Sequence, residues 1–366
     1  MQNHYRLITL FIILSQILLP ELNVLAQGNN KLLTDKEKLS LDKRLDRDTL
    51  VIDLKSAAPA ETLQPAEIHV NKNIAVPEES ITGSTLIFKE GVIQRISLDQ
   101  EIYQQGEVAQ VHVNTVIPIG DASLNFLYVK YKLYPLASNR YGTMLAVPMN
   151  TDPGHYAMTL HYKEKGEAKK LELPFEVIPG SFSESDTAEL DVCVLTEETL
   201  EMMRYEYNYF AKAYNRNPDS LMLDGDFIFP CAGSITGLYG TPRRYNEDLD
   251  KWSHKAIDIA NAVGTKVYAS NRGVVTLAKN LDVHGRSIVI AHGNGIHSIY
   301  LHLDSIKVKE GDVVNKGQLI GKLGKTGLCT GPNLHWGIMV NRIATNPQFW
   351  LKDKPELKEK IWVTPD

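Results

Sequence analysis

The 366-residue sequence predicts a mainly β protein of more than one domain: a β-sandwich, then a helix, then a second, Gly-rich antiparallel β domain. Three observations predict this order. Between Thr85 and Gly180, apolar residues recur at every second position, the period of a half-buried strand. From Leu200 to Tyr214 the spacing changes to threes and fours, the period of a helix packed on one side. After Asp224 strand-like runs return, now holding 16 of the 25 glycines and 6 of the 11 histidines. Turn-rich β-structure with clustered ligand-type side chains is where a site is to be sought.

Composition narrows the function. With 43% hydrophobic and 23% charged residues, the chain is an ordinary globular one, which excludes bulk disorder and collagen. A net charge of -5 supplies no sustained basic surface, so no nucleic-acid partner is expected. Cys193, Cys231 and Cys329 are too few for a disulfide framework or a Cys-rich zinc site and allow at most one bridge.

The opening stretch MQNHYRLITLFIILSQILLPELNVLAQG joins a cationic start at Arg6 to an apolar run, Leu7 to Pro20, and to small residues Val24 and Ala26. It reads as a signal peptide over residues 1–26, cleaved after Ala26, so that the mature protein is exported, periplasmic or secreted. An uncleaved anchor is the rival, disfavoured because the run is short for a bilayer span. No Cys lies near the cleavage point to be lipidated. Residues 27–84 combine alternating charge (TDKEKLSLDKRLDRD) with an Ala/Pro-rich piece (SAAPAETLQPAE) and read as a linker.

In residues 85–180, Ala109, Val111 and Val113 alternate with Gln110, His112 and Asn114. Tyr156, Met158, Leu160 and Tyr162 repeat the device, as do Leu171, Leu173, Phe175 and Val177. With turn signals at Gln105-Gly106 and Asp152-Pro153-Gly154, these strands fill a segment the size of an immunoglobulin-like sandwich. Residues 181–223 read as a helical connector: Leu200, Met203, Tyr207, Phe210 and Tyr214 follow a cap at Thr196, and the aromatic stripe is expected to be core. Residues 224–352 form the second β domain, and 353–366 a tail.

Within that domain, His254 and Asp258 occur in HKAID, where a turn entering a strand converges both side chains. Ser298, Tyr300 and His302 share one face of a strand, with Ile299, Leu301 and Leu303 expected to pack inward on the other. Asn333 and His335 share a face across Leu334. Together these make a cleft floor for a divalent metal, and two His with one carboxylate is the donor set of a catalytic zinc with an open fourth position. HExxH is absent. Gly324-Lys325-Thr326 lacks the earlier glycine of a phosphate loop, Leu319 standing there, which removes a P-loop nucleotide site. His284 reads as a loop residue at the solvent or substrate edge, His292 as lining the cleft edge, His297 as facing away, and Cys329 as a small buried residue. Tyr239 and Arg243 or Arg244 are placed at the border of the groove.

At these residues the sequence resembles the LytM/lysostaphin-type zinc metallopeptidases, peptidase family M23, which cut cell-wall peptidoglycan. The resemblance runs from about Phe227 to Trp350 through FIFPCAGSITGLYG, HKAIDIA, GTKVYASNRGVV, HGNGIHSIYLHL, IKVKEGDVVNKGQLIG and GKTGLCTGPNLHWGI. It implies a LytM-type catalytic domain behind an immunoglobulin-like domain, as in exported members. It also implies one Zn²⁺ per chain held by His254, Asp258 and His335, with His302 as a catalytic histidine. Two departures stand out. The first histidine of the family's HxH pair is Asn333, and the glycine between the first two ligands is Ala256. A carboxamide donates and accepts hydrogen bonds but moves no proton. Asn333 therefore either replaces an oxyanion contact or leaves a proton carrier missing.

The resemblance thus implies a zinc-dependent endopeptidase acting on peptidoglycan peptides through metal-activated water, without a stable membrane span after signal cleavage. The alternative is a degenerate, non-catalytic relative that binds cell wall or activates another wall hydrolase, with a wall enzyme or the division machinery as partner. IKVKEGDVVNKGQLIG also resembles the hairpin of biotinyl and lipoyl carriers, but no modified-lysine motif accompanies it.

Overall fold

A computed structural model describes residues 85–88, 91–182, 188–189, 196–218, 220–244, 252–351 and 362–363. The signal peptide read over 1–26, the linker over 27–84 and Cys193 lie outside the described residues.

Five strands open the first domain: β1 (Thr85–Ile87), β2 (Ile93–Leu98), β3 (Ile102–Gln104), β4 (Val108–Thr115) and β5 (Gly120–Phe126). Five more complete it: β6 (Val129–Lys132), β7 (Tyr134–Ala137), β8 (Arg140–Ala146), β9 (Gly154–Glu164) and β10 (Glu167–Ile178). They form two five-stranded sheets, ordered β1-β2-β4-β8-β7 and β3-β10-β9-β5-β6. The period-two pattern explains the packing. Ala109, Val111, Val113, Met158, Leu160, Leu173, Phe175 and Val177 are buried in one core, while Gln110 and Glu172 between them stay exposed. Phe175 stacks on Tyr103 with ring centroids 4.8 Å apart and touches Phe126 at 4.6 Å. Each such side chain contributes about 1.5–3 kcal/mol by leaving water.

The connector folds as α1 (Glu197–Tyr214). The Thr196 hydroxyl accepts from the Thr199 amide at 3.1 Å, and Glu197 and Glu198 sit in the first turn, where the helix dipole favours negative charge. Phe210, Ala213 and Tyr214 are buried, but Tyr207 is 45% exposed, so the aromatic stripe is core only in its last turn. The buried line runs instead through Glu206.

The second domain is built from β11 (Ala188–Glu189), β12 (Gly233–Gly237), β13 (Pro242–Arg244), β14 (Trp252–Ser253) and β15 (Ile257–Ala260). Then come β16 (Lys266–Tyr268), β17 (Gly273–Asn280), β18 (Arg286–Gly293), β19 (Ile296–Ile306) and β20 (Val313–Val314). The last are β21 (Leu319–Leu323), β22 (Asn333–Val340), β23 (Ile343–Thr345) and β24 (Trp362–Val363). The principal sheet runs β20-β17-β18-β19-β22-β15-β12-β24, and its last strand comes from the residues read as a tail. One face carries Ile257, Ile259, Tyr300, Trp336 and Ile338 into the core. The other presents Leu277, Val289, Ile299 and Leu301, which Phe210, Ala213 and Tyr214 of α1 cover. The helix lies beside the strands that carry the site, on the same face.

Tyr239 is 4% exposed and belongs to the junction between the domains, not to a groove border. Its hydroxyl donates to Ala344 O at 2.9 Å, and its ring fills the space where a Cβ on Gly106 of the sandwich would stand, 2.6 Å away. The amide of Asn346 donates to Gly106 O at 2.8 Å across the same junction. No helix among the described residues is long and apolar enough to cross a membrane.

Candidate metal centre

Strand pairing brings the three expected ligands together. His254 lies in the turn before β15, clamped by its own amide donating to Thr241 O at 2.9 Å and its carbonyl accepting from Gly240 N at 2.7 Å. Asp258 lies in β15 directly opposite His335 of β22, and directly opposed residues share a face. Asp258 Oδ1 is 3.1 Å from His254 Nε2 and 3.0 Å from His335 Nδ1, and the two nitrogens are 3.2 Å apart. A tetrahedral zinc with bonds of about 2.0–2.2 Å sets its donors about 3.3 Å apart, so two imidazoles and a carboxylate in this triangle fit one such ion. His254 Nδ1 donates to Leu238 O at 2.9 Å, which leaves Nε2 with its lone pair toward the centre. Burial alone would raise the Asp258 carboxyl, but the flanking His254 and His335 outweigh it and hold it well below the usual carboxylate range. Burial pushes His335 down to about 4, which keeps it neutral, as a metal ligand must be.

His302 stands beside this triangle, its ring centroid 6.2 Å from that of His335. Nδ1 donates to Thr326 O at 2.9 Å, fixing the tautomer in which Nε2 is the acceptor. Burial pushes its pKa down, against the pull of the Thr326 carbonyl. The expected strand face, however, is inverted. Leu301 is the residue paired with His335, and with Ile299 it faces α1. Ser298 and Tyr300 face the core, where Tyr300 is fully buried and its hydroxyl lies 2.6 Å from Ser270 Oγ and 3.0 Å from Ser298 Oγ. Regular alternation would send His302 inward with them. Instead its φ is 64°, a left-handed conformation that is uncommon outside glycine, and the ladder shifts register between Leu303 and Ser305. The backbone irregularity is what sets His302 beside His335.

Asn333 opens β22 two residues before His335 and so shares its face. Its Oδ1 is buried and, among the described residues, meets no hydrogen-bond partner. Ala256 is fully buried without a positive φ, so the backbone there makes no demand for glycine.

Sequence reasoning missed Glu206. This residue of α1 is 2% exposed, and its carboxylate accepts from the amides of Asp282, Val283 and His284 at 2.5, 2.9 and 3.1 Å and from His284 Nδ1 at 2.6 Å. Burial alone would raise its pKa; the His284 and backbone hydrogen bonds prevail and lower it. The signal was present in the helical spacing, since Glu206 falls three residues after Met203 and four before Phe210, on the line expected to be apolar. Thr326 was missed too. Its hydroxyl donates to Leu303 O at 2.7 Å and accepts from Arg286 N at 2.9 Å, tying the 282–286 loop to the 324–330 loop beside His302. Gly285, with φ 66°, makes this approach feasible: a Cβ there would lie 2.3 Å from Thr326 O. Glu198, Thr199 and Met202 of α1, with Asp282, Val283, Gly327 and Leu328 of the two loops, line an open groove of about 280 Å³.

His292 does not line a cleft edge: it is fully buried, hydrogen-bonded to Arg272 O at 2.7 Å and Ser298 Oγ at 2.8 Å. His297 lies under Tyr214, ring centroids 5.3 Å apart. Cys231 is fully buried and burial pushes its thiol up to about 12, which makes it unreactive; Cys329 is half-buried. The side chains of Arg243 and Arg244 are not among those described.

Residues 252–347, which contain His254, Asp258, His302, Asn333 and His335, match the model of Peptidase family M23. Among curated relatives, the peptidoglycan DD-endopeptidase ShyA of Vibrio cholerae is 46% identical over 93 residues, 25% of this chain and 22% of that protein. The DD-carboxypeptidase/endopeptidase Mpg of Neisseria meningitidis is 37% identical over 117 residues, 32% of this chain and 27% of the relative. Among solved structures, the catalytic domain of lysostaphin, the antimicrobial peptidase of Staphylococcus simulans, is 32% identical, with 33% of this chain and 93% of that one covered and a TM-score of 0.30. The chain thus carries a Peptidase M23 domain, and the match spans less than a third of the length of these curated relatives.

Proposed function

We propose that this protein is a zinc-dependent endopeptidase that hydrolyses peptide bonds of peptidoglycan outside the cytoplasm. The observation that carries the reading is the triangle of His254, Asp258 and His335 with the oriented His302 beside it. Zinc supplies a Lewis acid that polarises a carbonyl and brings the pKa of water toward neutrality. The chain's residues do the rest. His302 Nε2, its other nitrogen committed to Thr326 O, takes the proton as water attacks the scissile carbonyl. Asn333, with its carboxamide turned so that the NH₂ faces the cleft, donates to the oxygen on which charge develops. The amide C–N bond then breaks and the amine leaves with a proton.

In the same reading, residues 1–26 are a signal peptide, 27–84 a linker, 85–180 an immunoglobulin-like domain, 181–223 a connector, 224–352 the catalytic domain and 353–366 a tail. The test is to incubate the zinc-loaded protein with purified peptidoglycan and identify released fragments by mass spectrometry, with His335→Ala as control. Fragments from the wild type alone support the assignment; equal release by His335→Ala overturns it. Asn333 favours a second reading, a wall-binding protein that activates another wall hydrolase. Zinc binding without cleavage, together with cleavage gained in Asn333→His, would establish that one.

A further inference from the structure

We infer that His284, held by Glu206 of α1, is a second catalytic imidazole of this centre and protonates the leaving amine. The inference rests on the endopeptidase reading and completes its proton balance. Amide hydrolysis needs a base for the attacking water and an acid for the departing nitrogen. His302 is oriented as the base, the imidazoles of His254 and His335 converge on Asp258 in the candidate metal triangle, and Asn333 transfers no proton. His284 adjoins His302 through the backbone, its carbonyl accepting from the His302 amide at 3.2 Å.

Its surroundings are built as a carboxylate–imidazole pair. Three backbone amides would suffice if Glu206 served only to clamp the loop at 282–284. The fourth bond, His284 Nδ1 to Oε2 at 2.6 Å, fixes the ring's tautomer and leaves Nε2 as the working nitrogen. The carboxylate, itself 2% exposed, compensates the positive charge whenever Nε2 carries a proton. Phe210 packs on the ring, centroids 4.8 Å apart, and sets its plane. The ring keeps 24% of its surface, and its loop neighbours Asp282 and Val283 line the open groove between α1 and the 324–330 loop. A peptide lying in that groove meets the loop that carries His284.

The step balances. Water gives one proton to His302 Nε2 and its oxygen to the carbonyl carbon; His284 gives the proton on Nε2 to the amine nitrogen as the C–N bond breaks. His302 ends protonated and His284 neutral, and solvent exchanges the proton between them before the next turnover. Glu206 touches no substrate and is a positioning residue.

The experiment uses the full zinc-loaded chain and purified peptidoglycan, with kcat and KM measured for the wild type, His284→Ala, Glu206→Gln, Asn333→His and the double variant His284→Ala/Asn333→His. His284→Ala is expected to lower kcat about 10²-fold or more with KM within about threefold, as loss of general acid catalysis does. Glu206→Gln is expected to lower kcat about tenfold. Asn333→His, which sets an imidazole on the His335 face, is expected to restore at least a tenth of the activity in the His284→Ala background. Imidazole ¹⁵N spectra give a readout independent of turnover: His284 shows a protonated Nδ1 in the wild type, lost or exchange-broadened in Glu206→Gln. A wild-type enzyme that cleaves while His284→Ala matches it overturns this inference and leaves the endopeptidase reading standing. A loss in His284→Ala that comes with lost zinc or a lowered melting temperature and is not rescued at position 333 reduces the pair to a loop clamp and also overturns it. Failure of the wild type and of Asn333→His alike overturns both readings.

Discussion

At the scale of a residue, position 302 illustrates how backbone and chemistry are joined. A left-handed φ of 64° at a non-glycine residue costs of order 1–2 kcal/mol, and here it turns one imidazole out of a buried strand toward His335. Asn tolerates this conformation far better than a β-branched residue does. His302→Asn should therefore keep the metal content and the melting temperature of the wild type while kcat falls about 10²–10⁴-fold. His302→Val should in addition melt lower. Unchanged turnover in His302→Asn would remove the residue from the reaction. Neighbouring Thr326 is equally specific, its carbonyl holding the His302 ring and its hydroxyl bridging Leu303 and Arg286.

At the scale of an element, α1 and two loops line an open groove on the face of the sheet that carries the centre. The helix delivers Phe210, Ala213 and Tyr214 to the sheet and Glu206 to the 282–284 loop, so the connector is fastened to the loop whose His284 carbonyl meets the His302 amide. The loops meet through Gly285 and Gly327, where a Cβ would stand 2.3 Å from Thr326 O and 2.4 Å from Gly285 N respectively. Gly285→Ala should thus cost about 1–3 kcal/mol and lower turnover as well, because the same displacement moves Thr326 and with it His302. Differential scanning calorimetry and the peptidoglycan assay on that variant measure the two effects. A fully active variant of unchanged stability would mean that the loops part without consequence.

At the scale of the whole molecule, buried neutral histidines tie stability to pH. Burial pushes His292 down to about 3 and His297 down to about 4, against an ordinary value near 6.5. Their folded pKa values lie below the unfolded ones, so the unfolded chain takes up the proton first. Stability from this source is full above about pH 6.5 and is lost as pH falls from there toward about 4 and 3, by up to about 1.4 kcal/mol per pH unit for each histidine. With EDTA present, so that metal release does not contribute, the urea midpoint at pH 5 should lie clearly below that at pH 7. Equal midpoints would contradict neutral burial. The sandwich and the second set of strands share a junction, Tyr239 and Asn346 reaching the turn at Gly106.

The sequence alone determined whatever depends on period and donor chemistry. The alternation of Ala109, Val111 and Val113 marked a buried face, Thr196 marked the start of a helix, and the family resemblance brought His254, Asp258 and His335 forward as one candidate ligand set. These signals are local, or require only that strands pair. Only the tertiary structure decided which face of β19 meets the site, because a pleat argument presumes regular backbone and the positive φ at His302 breaks that rule. Only it placed Tyr239 at a domain junction and joined Glu206 to His284, 78 residues later in the chain. A carboxylate on an apolar helical line has many partners open to it in sequence. Which one it takes is settled by the packing of the whole fold, since a charge removed from water must find its donors wherever the chain has brought them.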